Sequence, residues 1–239
     1  MKPNNFFAAA IIAACTLLAF SACNSGGNKE KENTMDTTAN KMEPVATKPG
    51  NTLIVIHKVA NYAKWKPIFD SDDSAQKAHS LTKFTLGRGM DDSNMVLIAF
   101  RMPDTAQAKA FAASPELKAK MGKAGVIGAP SMTFYNVVML DTTTNSITSR
   151  VIMTHKVKDW DAWKKEFDSH KQARTDAGLV DRAVGYSIDD NHIVTVVCAI
   201  TDMAKAKAFF KSADLKEKMA KAGVEGEPKA FFYNVVETY

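Results

Sequence analysis

Cysteine is scarce in this sequence, and the positions of the few cysteines limit what they can do. The chain of 239 residues has three, and Cys15 and Cys23 both fall in the N-terminal apolar segment. Cys198 is therefore alone in the rest of the chain and cannot form an intrachain disulfide there. Because Cys198 lies within the apolar run HIVTVVCAI, we interpret it as a buried thiol and not as a nucleophile.

The motifs that mark several enzyme classes are also missing. The sequence has no HExxH, GxSxG or Walker motif and no CxxC pair, which argues against zinc hydrolases, serine hydrolases, nucleoside triphosphatases and thiol oxidoreductases. The net charge of +5 is mild and there is no arginine-rich block, so no nucleic-acid partner is predicted. Acidic pairs such as Asp91 and Asp92 suit turns, and we predict no metal site because a divalent ion needs more oxygen ligands.

No apolar run is long enough to span a membrane comfortably as a helix. The run FFAAAIIAACTLLAF (residues 6–20) has the length of a signal-peptide core, and the small residues Ser21 and Ala22 then precede Cys23. This pattern resembles the lipobox of bacterial lipoproteins, although Phe20 replaces the usual aliphatic residue. The resemblance implies a protein of the bacterial cell envelope, anchored to the membrane by acylation of Cys23. Processing at Cys15 and an ordinary cleaved secretory signal are the alternatives.

The remainder of the chain begins with a polar segment and then contains one sequence unit twice. Residues 23–50 are rich in Gly, Ser, Thr, Lys and Glu, which is typical of a flexible tether. At an offset of 98 residues, His57 aligns with His155 and Trp65 with Trp163, and about four positions in ten are identical over residues 53–138. Such a repeat indicates a tandem duplication. We therefore predict a signal peptide (1–22), a tether (23–50), a first repeat (51–140), a linker (141–148) and a second repeat (149–239).

Each repeat is predicted to fold as β-α-β-β-α-β, the ferredoxin-like order. LIVIHKV and VIMTHKV are β-branched runs of strand length, and Trp160, Trp163, Phe167 and His170 recur at the spacing of one helix face. Next come two strands joined by an acidic turn and an alanine-rich helix that begins after Asp104 or Asp202. A further helix or turn and the strand FYNVV complete the repeat. Helices cover one face of such a sheet, and the apolar second face needs another cover. The predicted fold class is α+β, with two tandem ferredoxin-like repeats packed as an intrachain eight-stranded barrel and a monomeric body.

Two motifs carry a resemblance to a known superfamily. The run VxDWDxWKxxFDxH begins at Val157, and AxAFxxSxxLKxxMxxAGV follows from Ala206. Together they resemble the dimeric α+β barrel superfamily, in particular its cyclase-like and antibiotic-biosynthesis-monooxygenase-like members. Members usually pair two chains, so the resemblance implies that this chain carries both halves of the barrel. The superfamily includes cofactor-free oxygenases, haem-degrading enzymes and isomerases, so the fold alone does not select a function.

Three histidines are candidates for chemistry. His57 and His155 end the first strand of each repeat, where they either serve a cavity or bond to nearby backbone. His170 shares a helix face with Trp163, and Arg174 follows four residues later, so this face is either a site or a polar helix end. The candidate catalytic residues are His170 and His155, and the candidate ligand-binding residues are His57, Trp65, His155, Trp163, His170 and Arg174.

Three hypotheses about function remain open at this stage. The first is a lipid-anchored envelope protein that binds a small, largely apolar molecule in a cavity of the barrel. The second is a cofactor-free enzyme of the monooxygenase or cyclase kind, and the third is a structural or protein-binding module without catalysis. No cofactor is required by the sequence, and haem is an option for which neither histidine has a diagnostic ligand context.

Overall fold

A computed structural model describes residues 49–239 of the chain. The predicted signal peptide, the predicted acylation site Cys23 and all but the end of the predicted tether lie outside the described residues. Among residues 49–239, no helix combines the length and the apolar character needed to cross a bilayer.

The described residues form two halves with the same order of elements. The first half has strands β1 (Asn51–Val59), β2 (Thr82–Gly89), β3 (Met95–Arg101) and β4 (Val126–Leu140), and helices α1 (Tyr62–Ser71), α2 (Asp73–Ala78), α3 (Thr105–Ala112) and α4 (Pro115–Lys123). The second half has strands β5 (Ser149–Val157), β6 (Leu179–Ser187), β7 (Ile193–Ile200) and β8 (Val224–Thr238), and helices α5 (Trp160–Ser169), α6 (Lys171–Asp176), α7 (Met203–Phe210) and α8 (Ala213–Lys221).

The helix boundaries follow local signals that the sequence carries. The side chains of Ser114 and Ser212 accept hydrogen bonds from backbone N–H groups in the first turns of α4 and α8, so these serines are the N-caps. Gly125 and Gly223 follow these helices with φ of 77° and 73°, a left-handed conformation in which a side chain would be strained.

One prediction about the helices is wrong. The sequence pattern predicts a single face that continues from Trp160 to Arg174, whereas α5 ends at Ser169 and α6 begins at Lys171. The backbone at His170 has φ of −98° and ψ of 15°, which breaks the helical ladder there. The turn at this point lets α6 lie against β6, where Arg174 reaches Asp181.

The eight strands close into one antiparallel barrel. Around the barrel their order is β1-β3-β2-β8-β5-β7-β6-β4, so each half contributes a four-stranded ferredoxin-like sheet. The pairs β2–β8 and β4–β6 join the two halves edge to edge. The predicted fold class, two ferredoxin-like units in an intrachain α+β barrel, is therefore confirmed.

A glycine lies at each of the two joints between the halves. Gly87 on β2 pairs with β8, and a Cβ there would lie 2.3 Å from the ring of Tyr233. Gly185 on β6 pairs with β4, and a Cβ there would lie 2.4 Å from the backbone oxygen of Asn136. These contacts are closer than any side chain allows, which explains why both repeats carry glycine at this position.

The barrel has one interior cluster and two outer cores. Inside the barrel, Leu97, Ile152 and Tyr233 are buried together with inward-facing residues of β1, β7 and β8. On the outer face of each half, the helices cover a separate core that contains Trp65 in the first half and Trp163 in the second. The apolar inner faces are thus buried only because the two halves are closed on each other.

Candidate functional site

Each half contains a pocket between its helices and the outer face of its sheet. The first pocket, lined by Leu53, His57, Trp65, Gln76, Ala112 and their neighbours, has a volume of about 210 Å³. The second pocket, lined by Met153, His155, Trp163, Arg174, Phe210 and their neighbours, has a volume of about 70 Å³. The two pockets occupy equivalent places, yet only the first is large enough for an organic molecule of one or two rings, since about 150 Å³ holds benzene.

The difference in volume comes from substitutions between the repeats. Ala112 lines the first pocket at the position where Phe210 lines the second. Gln76 lines the first pocket at the position of the longer Arg174. A methyl group and a short amide in place of a phenyl ring and a guanidinium leave space that the second half fills with its own side chains.

His57 and His155 are equivalent residues in separate pockets. The structure does not bring them together, because each lines only the pocket of its own half. Both are buried, and neither ring nitrogen of either residue has a hydrogen-bond partner among residues 49–239. Burial lowers the pKa of each histidine to about 4, so both rings are neutral at pH 7.

Each of these histidines packs on the tryptophan of its own half. The ring of His57 lies edge-on to Trp65 at 5.7 Å between centroids, and His155 lies likewise to Trp163 at 5.5 Å. Trp65 in turn stacks on Phe69 at 4.7 Å. The tryptophans are nearly fully buried, so in both halves they form the packed wall of the pocket.

In the second half, His170 and Arg174, which are predicted to bind a ligand, are engaged by protein partners. Arg174 donates through Nε and Nη2 to the carboxylate of Asp181 at 2.9 and 2.7 Å, and its guanidinium lies 3.6 Å from the centroid of the Phe167 ring. His170 Nε2 lies 2.7 Å from Oδ2 of Asp214 on α8. The structure places both residues in the wall of the second pocket, and their ligand-binding role stays a prediction.

The first half has a different set of polar groups around its pocket. Gln76 is buried, and its Oε1 has no hydrogen-bond partner in the described part of the chain. Lys120 on α4 donates to Asp72 at 2.6 Å across one side of the pocket. At the offset of 98 residues, Asp72 and Gln76 are the counterparts of His170 and Arg174. The signal of the volume difference in the sequence is the exchange of Phe210 for Ala112 between the repeats.

Cys198 lies in the outer core of the second half. Its side chain is buried, and burial raises the pKa of the thiol well above its ordinary value. Its Sγ lies 3.6 Å from Oδ1 of Asp181. A protonated, enclosed thiol is a poor nucleophile, so Cys198 serves packing.

The pockets do not suit haem. Side chains cover both nitrogens of His57 and of His155, so ligation of an iron would require the pocket wall to open over a whole macrocycle. A volume of about 210 Å³ is also small for a macrocycle of four pyrrole rings. Over residues 49–239 no group of three or more His, Cys, Asp or Glu side chains is arranged to hold a metal ion.

Comparison with known proteins identifies the fold and no closer relation. No family model matches the chain, and no curated protein matches it in sequence. An anthrone oxidase-like protein has a TM-score of 0.57 at 14% identity, over 80% of this chain and 93% of that chain. A candidate monooxygenase from Fusobacterium nucleatum subsp. nucleatum has a TM-score of 0.53 at 12% identity, over 80% and 94% of the two chains. A candidate chlorite dismutase has a TM-score of 0.52 at 15% identity, over 79% and 95%.

These similarities place the chain in a structural class. The chain has the ferredoxin-like α+β barrel fold of the monooxygenase-like proteins. At such low identity the shared feature is the fold alone, which hosts many activities. The function therefore has to be argued from the residues of this chain.

Proposed function

We propose that this protein binds a small, largely apolar molecule in the first pocket. The observation that carries the proposal is the contrast between the halves, because the same position is filled in one and open in the other. The wall of the first pocket is mainly apolar and includes the aromatic rings of Trp65 and Phe69. Such an enclosure with few polar groups is the usual form of a small-molecule site.

The polar groups of the first pocket support the same proposal. His57 and Gln76 both line it, and both have buried polar atoms without a partner among the described residues. A buried polar atom without a partner costs about 1–3 kcal/mol, and a bound molecule that displaces the side chains over these atoms and offers one polar group would offset part of that cost. The second half satisfies the equivalent of Gln76 within the protein, through the pair of Arg174 with Asp181.

Ala112→Phe is expected to close the first pocket by giving it the residue of the second half. We expect binding of the uncharged two-ring compound indole, followed by isothermal titration, to weaken at least tenfold. Phe210→Ala is the matched control, since it enlarges the second pocket and leaves the first unchanged. Unchanged binding by Ala112→Phe, with thermal unfolding within a few degrees of the parent protein, would refute the proposal. Mass spectrometry of compounds that co-purify with the protein then identifies the natural ligand.

An enzyme is the second candidate function. The neutral ring of His57 beside the first pocket supports it, because an uncharged imidazole is able to accept a proton. The fold shared with an anthrone oxidase-like protein and a candidate monooxygenase also supports it, at the level of analogy. The recovered ligand decides between the two functions: incubation with the protein in air changes its mass if the protein is an oxygenase, and leaves it unchanged if the protein only binds.

We further infer that the two halves derive from one duplicated unit, and that the chain is a lipoprotein of the bacterial cell envelope. The alignment of the two halves at an offset of 98 residues, which needs no gap and has about four identical positions in ten, supports the duplication. The apolar run of residues 6–20 followed by Ser21, Ala22 and Cys23 supports the anchor.

Cys23→Ala is expected to move the protein from the membrane fraction to the soluble fraction, because a thioether-linked lipid needs the sulfur of Cys23. Fractionation of cells followed by immunoblotting measures this change. Cys15→Ala is the matched control and should leave the protein in the membrane fraction. If Cys15→Ala releases the protein and Cys23→Ala does not, the cleavage site has been placed wrongly.

A further inference from the structure

The interior of the barrel contains a third cavity that is separate from the two pockets described above. This barrel cavity has a volume of about 240 Å³ and shares no lining residue with the first or the second pocket. Its apolar wall includes Ile54, Leu97, Ile152, Val197 and Val235 from strands of both halves. Residues 141–145, between β4 and β5, form another part of the wall.

Arg150 is the exceptional residue of this wall. It is the second residue of β5, and its side chain is 9% exposed. Its Nη1 donates to the carbonyl oxygens of Ile147 and Ser149, while Nε and Nη2 have no partner within residues 49–239. Burial lowers the pKa of the guanidinium below its ordinary value, but arginine keeps its charge in proteins at neutral pH.

No carboxylate of the described residues neutralises Arg150. The nearby Asp141 is engaged by a second arginine, since Arg182 donates to its Oδ2 at 2.7 Å. Arg182 also donates through Nη2 to the backbone oxygen of Thr143, so both of its Nη groups have acceptors. The two arginines and one aspartate leave one positive charge at the cavity, and two backbone carbonyls compensate that charge less well than a carboxylate would.

A second unpaired donor lies beside Arg150. Tyr233 on β8 is directly opposite Arg150 in the strand register and lines the same cavity. Its side chain is 4% exposed, and it lines the cavity with no side-chain hydrogen bond from the described residues acting on its hydroxyl. Burial raises the pKa of this hydroxyl, so it remains a protonated donor. The free Nε and Nη2 donors of the guanidinium, together with the phenol, match the two oxygens of one carboxylate.

The site is present once in each chain. The position of Arg150 in the first half is Thr52, which has no charge. The tyrosine equivalent to Tyr233 is Tyr135, whose hydroxyl lies 3.4 Å from the hydroxyl of Thr154. The first half therefore has neither the charge nor the free phenol, although both halves contribute to the apolar wall.

From this geometry we propose that the barrel cavity binds a small organic carboxylate with an apolar body. The carboxylate lies against Arg150 and Tyr233, and the apolar body contacts the aliphatic side chains of β1, β3 and β7. A cavity of about 150 Å³ holds benzene. The barrel cavity is larger, so it has room for one aromatic ring with a carboxylate or for a short fatty acid. This site is independent of the ligand proposed for the first pocket.

Isothermal titration of the purified full-length protein with benzoate and with hexanoate tests the proposal. We expect saturable binding of one equivalent, and at least tenfold weaker binding of the neutral analogues benzamide and hexanol. Arg150→Met should weaken benzoate binding at least tenfold, and Arg150→Lys should retain more of it because the charge is kept. Ala112→Phe, which fills the first pocket, should leave benzoate binding unchanged.

Val197→Phe provides a second route if Arg150 variants fail to fold, because it fills the barrel cavity and leaves the arginine in place. This variant should lose benzoate binding and keep binding of indole in the first pocket. The proposal is overturned if neither carboxylate binds, if the neutral analogues bind equally well, or if Val197→Phe binds benzoate as the parent protein does. If benzoate binding is lost with Ala112→Phe and retained with Val197→Phe, the carboxylate site is in the first pocket and the barrel proposal is wrong.

Discussion

Acidification from pH 6.5 to pH 4 is expected to remove several kcal/mol of folding stability through two histidines. His57 and His155 are buried and neutral in the folded protein, with the pKa of each lowered from 6.5 to about 4 by burial. The unfolded chain therefore binds two protons in this range that the folded chain excludes, and stability falls as the pH falls. Each pKa unit corresponds to about 1.4 kcal/mol, so each histidine accounts for about 3 kcal/mol.

Urea unfolding at pH 7.5 and at pH 4.5 measures this loss. His57→Phe combined with His155→Phe should retain most of the stability at pH 4.5, because phenyl rings keep the packing against Trp65 and Trp163 and have nothing to protonate. The carboxylates of the protein titrate in both proteins, so the difference between them isolates the two histidines.

His192 supplies the control for these substitutions. Its side chain is half exposed on the turn between β6 and β7, so His192→Gln should keep the acid loss of the parent protein. An equal acid loss in the parent protein and the double variant would mean that the two rings are not buried as neutral groups.

Removing Asp181 is expected to have the second large effect on stability. Arg174 and Asp181 form a two-pronged ion pair whose side chains are 8% and 11% exposed. Asp181→Ala leaves the guanidinium buried with one carbonyl partner, that of Phe167. Breaking such a pair from one side typically costs about 3–5 kcal/mol. In a chain of this size we expect the midpoint of thermal unfolding to fall by at least about 6 °C.

An apolar replacement of the whole pair distinguishes packing from charge. Arg174→Met combined with Asp181→Leu removes both charges and should be more stable than Asp181→Ala alone, because no unpaired group remains. Lys164→Ala is a surface control, since it removes the exposed ion pair with Asp168 and should change stability by less than about 1 kcal/mol. If Asp181→Ala unfolds at the same temperature as the parent protein, Arg174 is not held by this pair and its role as a ligand-binding residue gains support.

The fold could be predicted from the sequence because several independent signals agree. The repeat at an offset of 98 residues, the strand runs before His57 and His155, and the glycines after α4 and α8 all point to two equal units. The apolar character of both faces of β7 then requires a cover that only the other half provides. The break at His170 was missed, because the spacing of apolar residues does not reveal a turn between two helices that share one buried face.

The candidate site could be predicted less well than the fold, for a physical reason. Histidines and tryptophans are conspicuous in a sequence, whereas a cavity is a place where side chains are small or absent. Ala112 is an ordinary alanine on an alanine-rich helix, and only its partner Phe210 in the other half indicates that a ring is missing. The sequence does not show that Arg150 lines a cavity, because the position of residues 141–145 against the barrel cannot be inferred from their polar composition.

The joining of both halves in one chain affects how the two halves can diverge in sequence and how the barrel assembles. In a barrel made of two identical chains, each change to a gene appears on both sides, and dilution separates the subunits. Here a change such as that between Ala112 and Phe210 affects one side only, so one side can be kept for stability while the other acquires selectivity. Closure between β2 and β8 and between β4 and β6 occurs within one molecule, so assembly does not depend on copy number.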